Sequence, residues 1–251
     1  MEQGKIHTFI EGGVGWVKFY HPKSNSLPSV LLNEIARAIH LYDKDSSVKV
    51  IALASEGDKA FCAGASFDEL LSIKNEHEGK LFFSGFAKVI LAMKESSKFV
   101  IARIHGKAIG GGVGIAAAAD YSFATTNASV KLSELSIGIG PFVIGPAVER
   151  KIGIAAFSEL SINATEFKSA QWAQQKGLYT SLYENEEAID AALQQLLKTL
   201  ASSSSDAMLK MKEMFWQGTA HWDSLLFDRA AVSGSLVLSD NTKEILAQFK
   251  K

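Results

Sequence analysis

Three consecutive glycines, Gly110, Gly111 and Gly112, separate two apolar stretches of different character. Residues 99–104 form an apolar run typical of a strand, and residues 113–119 are small and apolar, as at the start of a buried helix. Because glycine has no Cβ, the backbone of such a turn can approach a ligand closely. The first turn of the following helix would present free N–H groups and a partial positive charge. This pattern predicts a site for a phosphate or for a developing oxyanion.

A second glycine-containing segment, residues 59–70, has the same organisation. It follows the continuously apolar run of residues 48–54, and small side chains at positions 62–66 precede a predicted short helix. Two strand–turn–helix junctions can each offer one N–H group to the same oxygen atom. Such a pair of donors stabilises a developing enolate or alkoxide. The two segments together therefore favour an oxyanion hole over two unrelated tight turns.

Residues 112–117 also fit the dinucleotide-binding pattern GxGxxA, and the acidic residue Glu134 lies 20 positions beyond Gly114. That pattern usually opens a nucleotide-binding domain, whereas two predicted strands and several helices come before it here. The acidic residue should also end the next strand, but Glu134 follows a further polar turn at residues 125–127. A nicotinamide or flavin enzyme is therefore the less favoured interpretation.

The spacing of apolar residues predicts alternating strands and helices in the first half of the chain. The predicted strands are residues 15–19, 48–54, 99–104 and 121–124. The predicted helices are residues 29–42, 66–73 and 81–93. This alternation indicates the α/β class.

From Thr165 onward the pattern is almost wholly helical. The four serines at positions 202–205 disfavour a helix interior and suit a turn, with Ser205 placed to cap the next helix. We therefore predict a core of residues 1–200 and a helical C-terminal region of residues 201–251. The methionine and aromatic side chains between Met208 and Trp216 are typical of a core or of a subunit contact.

The composition of the chain argues against several classes of function. The formal net charge is -1, so no basic excess points to nucleic acid or to an anionic membrane. The polar segment 1–8 lacks the apolar region of a signal peptide, and no stretch reaches membrane-spanning length without charges. Cys62 is the only cysteine, which excludes an internal disulfide and suits a reducing cytoplasm. No spacing of His, Cys and Asp is typical of a metal site.

Five segments, in this order and at this spacing, resemble those of the crotonase family of enoyl-CoA hydratases and isomerases. The resemblance covers almost the whole chain. The segments are residues 21–27 (HPKSNSL), 61–70 (FCAGASFDEL), 105–112 (HGKAIGGG), 133–138 (SELSIG) and 169–178 (SAQWAQQKGL). Ser133 stands where the family pattern has proline.

The resemblance implies an α/β spiral of ββα turns, with two stacked sheets flanked by helices and a C-terminal helical region that joins subunits into a trimer or hexamer. It implies an acyl-CoA thioester as substrate, with no separate cofactor and no metal. The N–H groups of Ala65 and Gly111 would form the oxyanion hole, and Glu134 would be the catalytic acid–base group. Further substrate contacts would come from Lys23, Ala63, Ser66, Phe67, Asp68 and Gly110.

Hydratases of this family commonly carry a second glutamate two residues after the glycine triplet, where this chain has Gly114. One carboxylate can add water to a 2-enoyl-CoA, or it can move a proton between the γ- and α-carbons. A resemblance to bacterial 3-methylglutaconyl-CoA hydratase-like members favours hydration over isomerisation. The apolar segment 137–146 is also similar to a stretch of enoyl-CoA isomerases. A catalytically weak acyl-CoA-binding or interaction protein is the third alternative.

Three other ionisable side chains are predicted to have structural roles. His105 ends a predicted strand and has no motif partner. Cys62 has no adjacent His or Lys to lower the pKa of its thiol. Asp120 follows an alanine-rich helix and is expected to bond a neighbouring loop. Ser66 lacks the Gly-x-Ser-x-Gly pattern, so serine hydrolysis is not supported.

Overall fold

Strands and helices alternate along residues 4–248, the part of the chain that the computed structural model describes. The strands are β1 (Lys5–Glu11), β2 (Val14–Tyr20), β3 (Val50–Ser55), β4 (Ala60–Cys62), β5 (Val100–Ile104), β6 (Lys107–Ile109), β7 (Tyr121–Thr125), β8 (Ser129–Lys131), β9 (Lys168–Ser169) and β10 (Ser181–Tyr183). The helices are α1 (Ser29–Lys44), α2 (Phe67–Ser72), α3 (Glu76–Glu95), α4 (Gly111–Ala118), α5 (Gly145–Ile162), α6 (Ala170–Gln175), α7 (Glu186–Ala201), α8 (Ser205–Phe215), α9 (Trp222–Leu236) and α10 (Asp240–Ala247). A short 3-10 helix, Glu134–Ile137, lies between β8 and α5.

The strands of residues 4–248 form one sheet of six strands and one of four. The larger sheet has the order β1-β2-β3-β5-β7-β10, and only its β1–β2 pair is antiparallel. The smaller sheet has the order β4-β6-β8-β9, with β4, β6 and β8 parallel to one another. From β3 to β8 the chain passes three times from the larger sheet to the smaller one, and a helical segment follows each such pair of strands. This α/β spiral of ββα units confirms the predicted fold.

The larger sheet is covered on both faces, which explains the apolar runs that predict its inner strands. All six residues of β3 are buried, as is typical of a parallel strand between two layers. One face packs into the main core with α1 and α3. The other face packs against α7 through Ile189, Leu193 and Leu197.

The carboxyl ends of β4, β6 and β8 lie at the same edge of the smaller sheet, because the three strands are parallel neighbours. The β4 strand ends immediately before Ala63, and β6 ends before Gly110. The β8 strand ends two residues before Ser133 and the 3-10 helix. The fold therefore brings three segments that are distant in sequence to one place.

Two regions of the chain contain strands that the sequence pattern does not predict. Residues 5–11 form β1, an edge strand whose side chains are mostly exposed, and the polar segment 1–8 gives no sign of it. An edge strand lacks the apolar alternation of an inner strand, and charged residues there are usual. Beyond Thr165 the chain is almost wholly helical, as the sequence predicts, and the exceptions are β9 and β10. These strands have two and three residues, too few for a periodic signal.

The first residues of two helices also differ from the prediction, because polar N-cap side chains determine where each helix begins. The α3 helix begins at Glu76 rather than at residue 81, since the Asn75 side chain accepts the N–H group of Glu78 at 2.9 Å. Ser204 rather than Ser205 caps α8. The sequence also predicts a last helix over residues 240–249; α10 covers Asp240–Ala247, and residue 249 lies outside the described part of the chain. No helix within residues 4–248 combines the length and apolar character needed to cross a bilayer.

Candidate active site

Residues 63–66, which follow β4, are held by hydrogen bonds to the loop before α1. The N–H group of Leu27 donates to the carbonyl oxygen of Gly64 at 2.8 Å, and the N–H group of Ser66 donates to the carbonyl oxygen of Leu27 at 3.0 Å. This parallel bridge between Leu27 and Ala65 is made by the carbonyl group of Gly64 and the N–H group of Ser66, and it does not use the N–H group of Ala65. Within residues 4–248 the Ala65 N–H group donates no hydrogen bond.

Asn25 fixes the loop that makes this bridge. Its side chain is buried, and its Nδ2 atom donates to the carbonyl oxygens of Glu56 at 2.9 Å and Ala60 at 2.8 Å. Its Oδ1 atom accepts the N–H group of His21 at 2.7 Å. Asn25 adopts a left-handed conformation with φ of 56°, which asparagine tolerates better than most residues. This positioning role was missed from the sequence, although an Asn in a polar loop is a known signal for it.

The second turn, between β6 and α4, is shaped by its glycines. Gly110 has φ of 52° and ψ of −118°, a backbone conformation that glycine adopts without a steric penalty. A Cβ on Gly111 would stand 2.2 Å from the Cε1 and Cζ atoms of Phe86, so only glycine fits there without a shift of that ring. Gly111 is the first residue of α4, and its N–H group donates no hydrogen bond in the described part of the chain.

These two turns contact one another. The point where a Cβ on Gly64 would stand lies 3.1 Å from the carbonyl oxygen of Ile109 and 3.8 Å from the nitrogen of Gly111. The Ala65 and Gly111 N–H groups are thus two unused donors on adjoining turns. Two such donors can polarise one carbonyl oxygen.

Glu134 begins the 3-10 helix, and its carboxylate reaches the glycine turn. Its Oε1 atom lies 2.8 Å from the point where a Cβ on Gly110 would stand. Its Oε2 atom is buried and has no hydrogen-bond partner among residues 4–248. Burial away from water raises the pKa of Glu134 to about 7, and an interaction with its own backbone N–H group offsets only part of that effect. A carboxyl group with this pKa can both take and return a proton near neutrality.

One cavity of about 170 Å³ joins these groups. Six of the predicted site residues line it: Ala63, Ala65, Phe67, Gly110, Gly111 and Glu134. Six further lining residues with apolar side chains belong to the apolar segment 137–146, and together with five others they make most of the remaining lining apolar. These are Leu70, Phe82, Phe83, Phe86, Ile109, Ile137, Ile139, Pro141, Phe142, Val143 and Ile144. Ser133, Ser233, Gly64 and Gly140 complete the lining.

The other three predicted site residues do not line this cavity. Lys23 and Asp68 form an ion pair with each other, and both side chains are largely exposed. The Ser66 side chain caps α2 by accepting the N–H group of Glu69 at 3.4 Å. Their contacts with a substrate stay a prediction that concerns the surface outside the cavity.

Gly114, where hydratases of this family commonly carry a second glutamate, is buried against Ile144. A Cβ on Gly114 would stand 2.4 Å from the Cγ2 atom of Ile144 and 2.6 Å from its Cβ atom. Ile144 is itself only 3% exposed and lines the cavity. The space next to position 114 is therefore filled by an aliphatic side chain.

The remaining ionisable candidates lie outside this arrangement. Asp120 accepts the N–H group of Val100 at 2.8 Å and pairs with Lys212 at 2.9 Å, as a structural role predicts. Burial raises the pKa of the Cys62 thiol to about 12. Both ring nitrogens of His105 are buried without a partner in the described chain. Residues 4–248 contain no group of three or more His, Cys, Asp or Glu side chains placed to hold a metal ion.

The geometry of the turn between β6 and α4 does not support a dinucleotide-binding site. A Cβ on Gly112 would stand 2.6 Å from the carbonyl oxygen of Cys62, so this glycine allows close packing of the protein on itself. Glu134 lies against Gly110 rather than at the end of a strand. The turn is arranged around a buried carboxylate, which would repel a pyrophosphate.

A family model described as enoyl-CoA hydratase/isomerase matches residues 10–233. The chain therefore belongs to the enoyl-CoA hydratase/isomerase family, the crotonases, and is an enzyme of that family. It is 28% identical to the short-chain-enoyl-CoA hydratase of Clostridium acetobutylicum, over 99% of this chain and 95% of the relative. It is 27% identical to a probable enoyl-CoA hydratase of Bacillus subtilis, over 97% of this chain and 95% of the relative.

The fold is shared with solved structures. The crystal structure of enoyl-CoA hydratase from Bacillus halodurans superimposes with a TM-score of 0.89 and covers 97% of this chain and 99% of its own, at 22% sequence identity. This likeness concerns the fold alone.

Proposed function

We propose that this protein isomerises 3-enoyl-CoA thioesters to 2-enoyl-CoA thioesters, with Glu134 as the single group that moves the proton. The observation that carries the proposal is the contact between Gly114 and Ile144, whose atoms fill the place of a second carboxylate. One buried carboxylate in an apolar cavity is what a proton transfer within one substrate requires.

The thioester oxygen would accept hydrogen bonds from the free N–H groups of Ala65 and Gly111. Glu134 would take a proton from the α-carbon, and the electrons of that bond would form a dienolate whose negative charge rests on the thioester oxygen. Return of the proton to the γ-carbon moves the double bond from the 3,4 to the 2,3 position. No water molecule enters or leaves, so the atoms balance with the substrate alone.

The surroundings of Glu134 suit this sequence of steps. A pKa of about 7 leaves much of the carboxyl group ionised at neutral pH and still makes it a sufficiently strong base. A water molecule beside Ile144 would lack the two to four polar partners that a buried water needs. Because the cavity beside position 114 is apolar, a nucleophilic water is poorly held there.

Hydration of a 2-enoyl-CoA is the second candidate. It is the activity that the sequence favours, and it is the activity in the printed names of the relatives from Clostridium acetobutylicum and Bacillus subtilis. In that case Glu134 alone would activate the water and deliver the proton to the α-carbon. Binding of acyl-CoA with little turnover is the third alternative.

The test uses the purified protein with 3-hexenoyl-CoA and with crotonyl-CoA in water labelled with heavy oxygen. We expect conversion of 3-hexenoyl-CoA to 2-hexenoyl-CoA without incorporation of the label. A labelled 3-hydroxyacyl-CoA formed from crotonyl-CoA would support hydration instead. Binding of both thioesters with neither reaction would support the third alternative.

Three further expectations from the sequence belong to this proposal. We propose that Lys23, Ser66 and Asp68 contact the coenzyme A part of the substrate outside the cavity. We propose assembly into a trimer or hexamer through the region 201–251, because Met211, Met214 and the neighbouring Phe215 are exposed on α8. Light scattering during gel filtration measures that assembly. A cytoplasmic location also stays a prediction.

A further inference from the structure

Ser233, on α9, lines the same cavity as Glu134. The residue is only 1% exposed, and its hydroxyl group makes no hydrogen bond within residues 4–248. Ser84, a buried serine on the neighbouring helix α3, behaves as expected and donates to the carbonyl oxygen of Lys80 at 2.6 Å. The residue as a whole is buried, but its hydroxyl oxygen is not fully sealed from the cavity, so a molecule bound there can hydrogen bond to it.

The position of Ser233 is fixed by the contact between α9 and α3. A Cβ on Gly79 would stand 2.6 Å from the Cα atom of Gly234, and a Cβ on Gly234 would stand 2.6 Å from the nitrogen of Lys80. The two helix backbones therefore touch at the residue next to Ser233. This contact prevents Ser233 from moving away from the cavity without a shift of the whole helix.

The cavity is small, and few of the side chains that line it are polar. Its volume of about 170 Å³ is below the range of about 300–1,000 Å³ that is usual for drug-sized ligands, so a short acyl chain fits best. Among the described residues no Lys, Arg or His lines it, and Glu134 is its one charged side chain. Ser133 and Ser233 are the two hydroxyl side chains of the lining, and of these only Ser233 is fully buried.

We propose that Ser233 determines substrate specificity by hydrogen bonding to a neutral oxygen atom, a hydroxyl or a keto group, on a short acyl chain. The hydroxyl of Ser233 can donate to a keto oxygen and can donate to or accept from a hydroxyl group. A chain that ends in a carboxylate is disfavoured, because the cavity lining offers no cation to it. This inference rests on the proposed binding of acyl-CoA thioesters at this site.

The experiment measures dissociation constants with saturated thioesters, which bind but cannot isomerise or add water. The three probes are hexanoyl-CoA, 5-hydroxypentanoyl-CoA, in which a hydroxyl replaces the terminal methyl group, and glutaryl-CoA, which ends in a carboxylate. Each is titrated by calorimetry into the wild-type protein and two variants. Ser233→Ala removes the hydroxyl in question. Ser235→Ala is the matched control, because Ser235 lies on the same helix, is exposed and does not line the cavity.

The decisive number is the dissociation constant of hexanoyl-CoA divided by that of 5-hydroxypentanoyl-CoA. We expect this ratio to fall by roughly tenfold in Ser233→Ala and to stay unchanged in Ser235→Ala. We also expect glutaryl-CoA to bind weakest to the wild-type protein. A ratio that changes less than about twofold in Ser233→Ala would overturn the specificity role, since a purely structural serine predicts no change. Failure of all three thioesters to bind would overturn the proposed function and this inference together.

Discussion

The carboxylate of Glu134 lies against the backbone of Gly110, with Oε1 at 2.8 Å from the point where a Cβ would stand. Gly110 also has φ of 52°. A glycine is therefore required here for two separate reasons, the backbone conformation and the space taken by the carboxylate. The second reason links the glycine turn directly to Glu134, the acid–base group that we propose.

Gly110→Ala is expected to lower turnover by roughly 100-fold, because the new methyl group displaces the carboxylate from its position. Gly12→Ala is the control, since Gly12 has a similar φ of 57° with open space around its Cβ position. That variant places an alanine at a positive φ without any contact to its Cβ, so it should lose some stability and keep its activity. Steady-state kinetics and thermal unfolding of both variants test this. Equal activity of the two alanine variants would contradict the role given to the contact.

The pH dependence of kcat/KM is expected to follow the ionisation of Glu134. Its pKa is raised to about 7, so the free enzyme holds the protonated, inactive form below that pH. Activity on a 3-enoyl-CoA should therefore fall as the pH falls through about 7, along a single ionisation. A profile that stays level down to the ordinary glutamate pKa of 4.5 would show that another group takes the proton.

Glu134→Gln should cost roughly 10²–10⁴-fold in turnover and should stabilise the fold at alkaline pH. Because the folded-state pKa lies above the usual 4.5, the ionised carboxylate destabilises the native state increasingly between pH 4.5 and about 7. At pH values above neutrality, the free energy of unfolding of the glutamine variant should exceed that of the wild type by at most about 3 kcal/mol. This difference should disappear as the pH falls from about 7 to 4.5. Urea unfolding at several pH values measures it. Glu95→Gln, at an exposed glutamate, is the control. A glutamine variant with lower stability than the wild type at alkaline pH would refute the assigned environment.

Asn25→Ala is expected to reduce both stability and turnover, because it removes the hydrogen bonds to the carbonyl oxygens of Glu56 and Ala60. The loss of stability should be about 1–3 kcal/mol, since one buried and one partly buried carbonyl group lose a donor. The turnover number should fall more than the affinity for substrate, because the loop that holds Ala65 becomes less ordered. Asn33→Ala, at an exposed asparagine that accepts from Lys88, should leave both unchanged. Unaltered turnover in Asn25→Ala would show that the Ala63–Ser66 segment holds its shape without the loop.

Gly114→Glu is expected to lower stability and activity together without any gain in hydration. Its Cβ would stand 2.4 Å from Ile144, and its carboxylate would be buried without a partner. The double variant with Ile144→Ala should recover part of the stability, because the smaller side chain makes room. Hydration of crotonyl-CoA is assayed with the wild-type protein, with Gly114→Glu and with the double variant. An increase in hydration by Gly114→Glu alone would indicate a pocket that holds water, and so favour the hydratase.

Some of these relationships follow from sequence, and others do not. The glycine turn, the segment around Ala65 and Glu134 each belong to a continuous motif, so their meeting in one cavity could be predicted. Ile144 and Ser233 are far in sequence from the residues that they face, and each looks like an ordinary helix-forming or apolar residue. The strands β4, β6 and β8 have three residues each, so no periodicity marks them, although they align the three segments of the site. Only the tertiary fold determines these neighbours.

The unused N–H groups of Ala65 and Gly111 have a consequence for how this enzyme is studied by mutagenesis. Both groups belong to the main chain, and every amino acid except proline retains such a group. Position 65 is already alanine, so an alanine scan leaves its donor in place and registers no effect there. Random mutagenesis would mark Glu134 and the tightly packed glycines and would pass over the two main-chain donors that we propose for the substrate oxygen. Replacing the amide by an ester at these two positions, through chemical synthesis of the segment, removes the donors and little else.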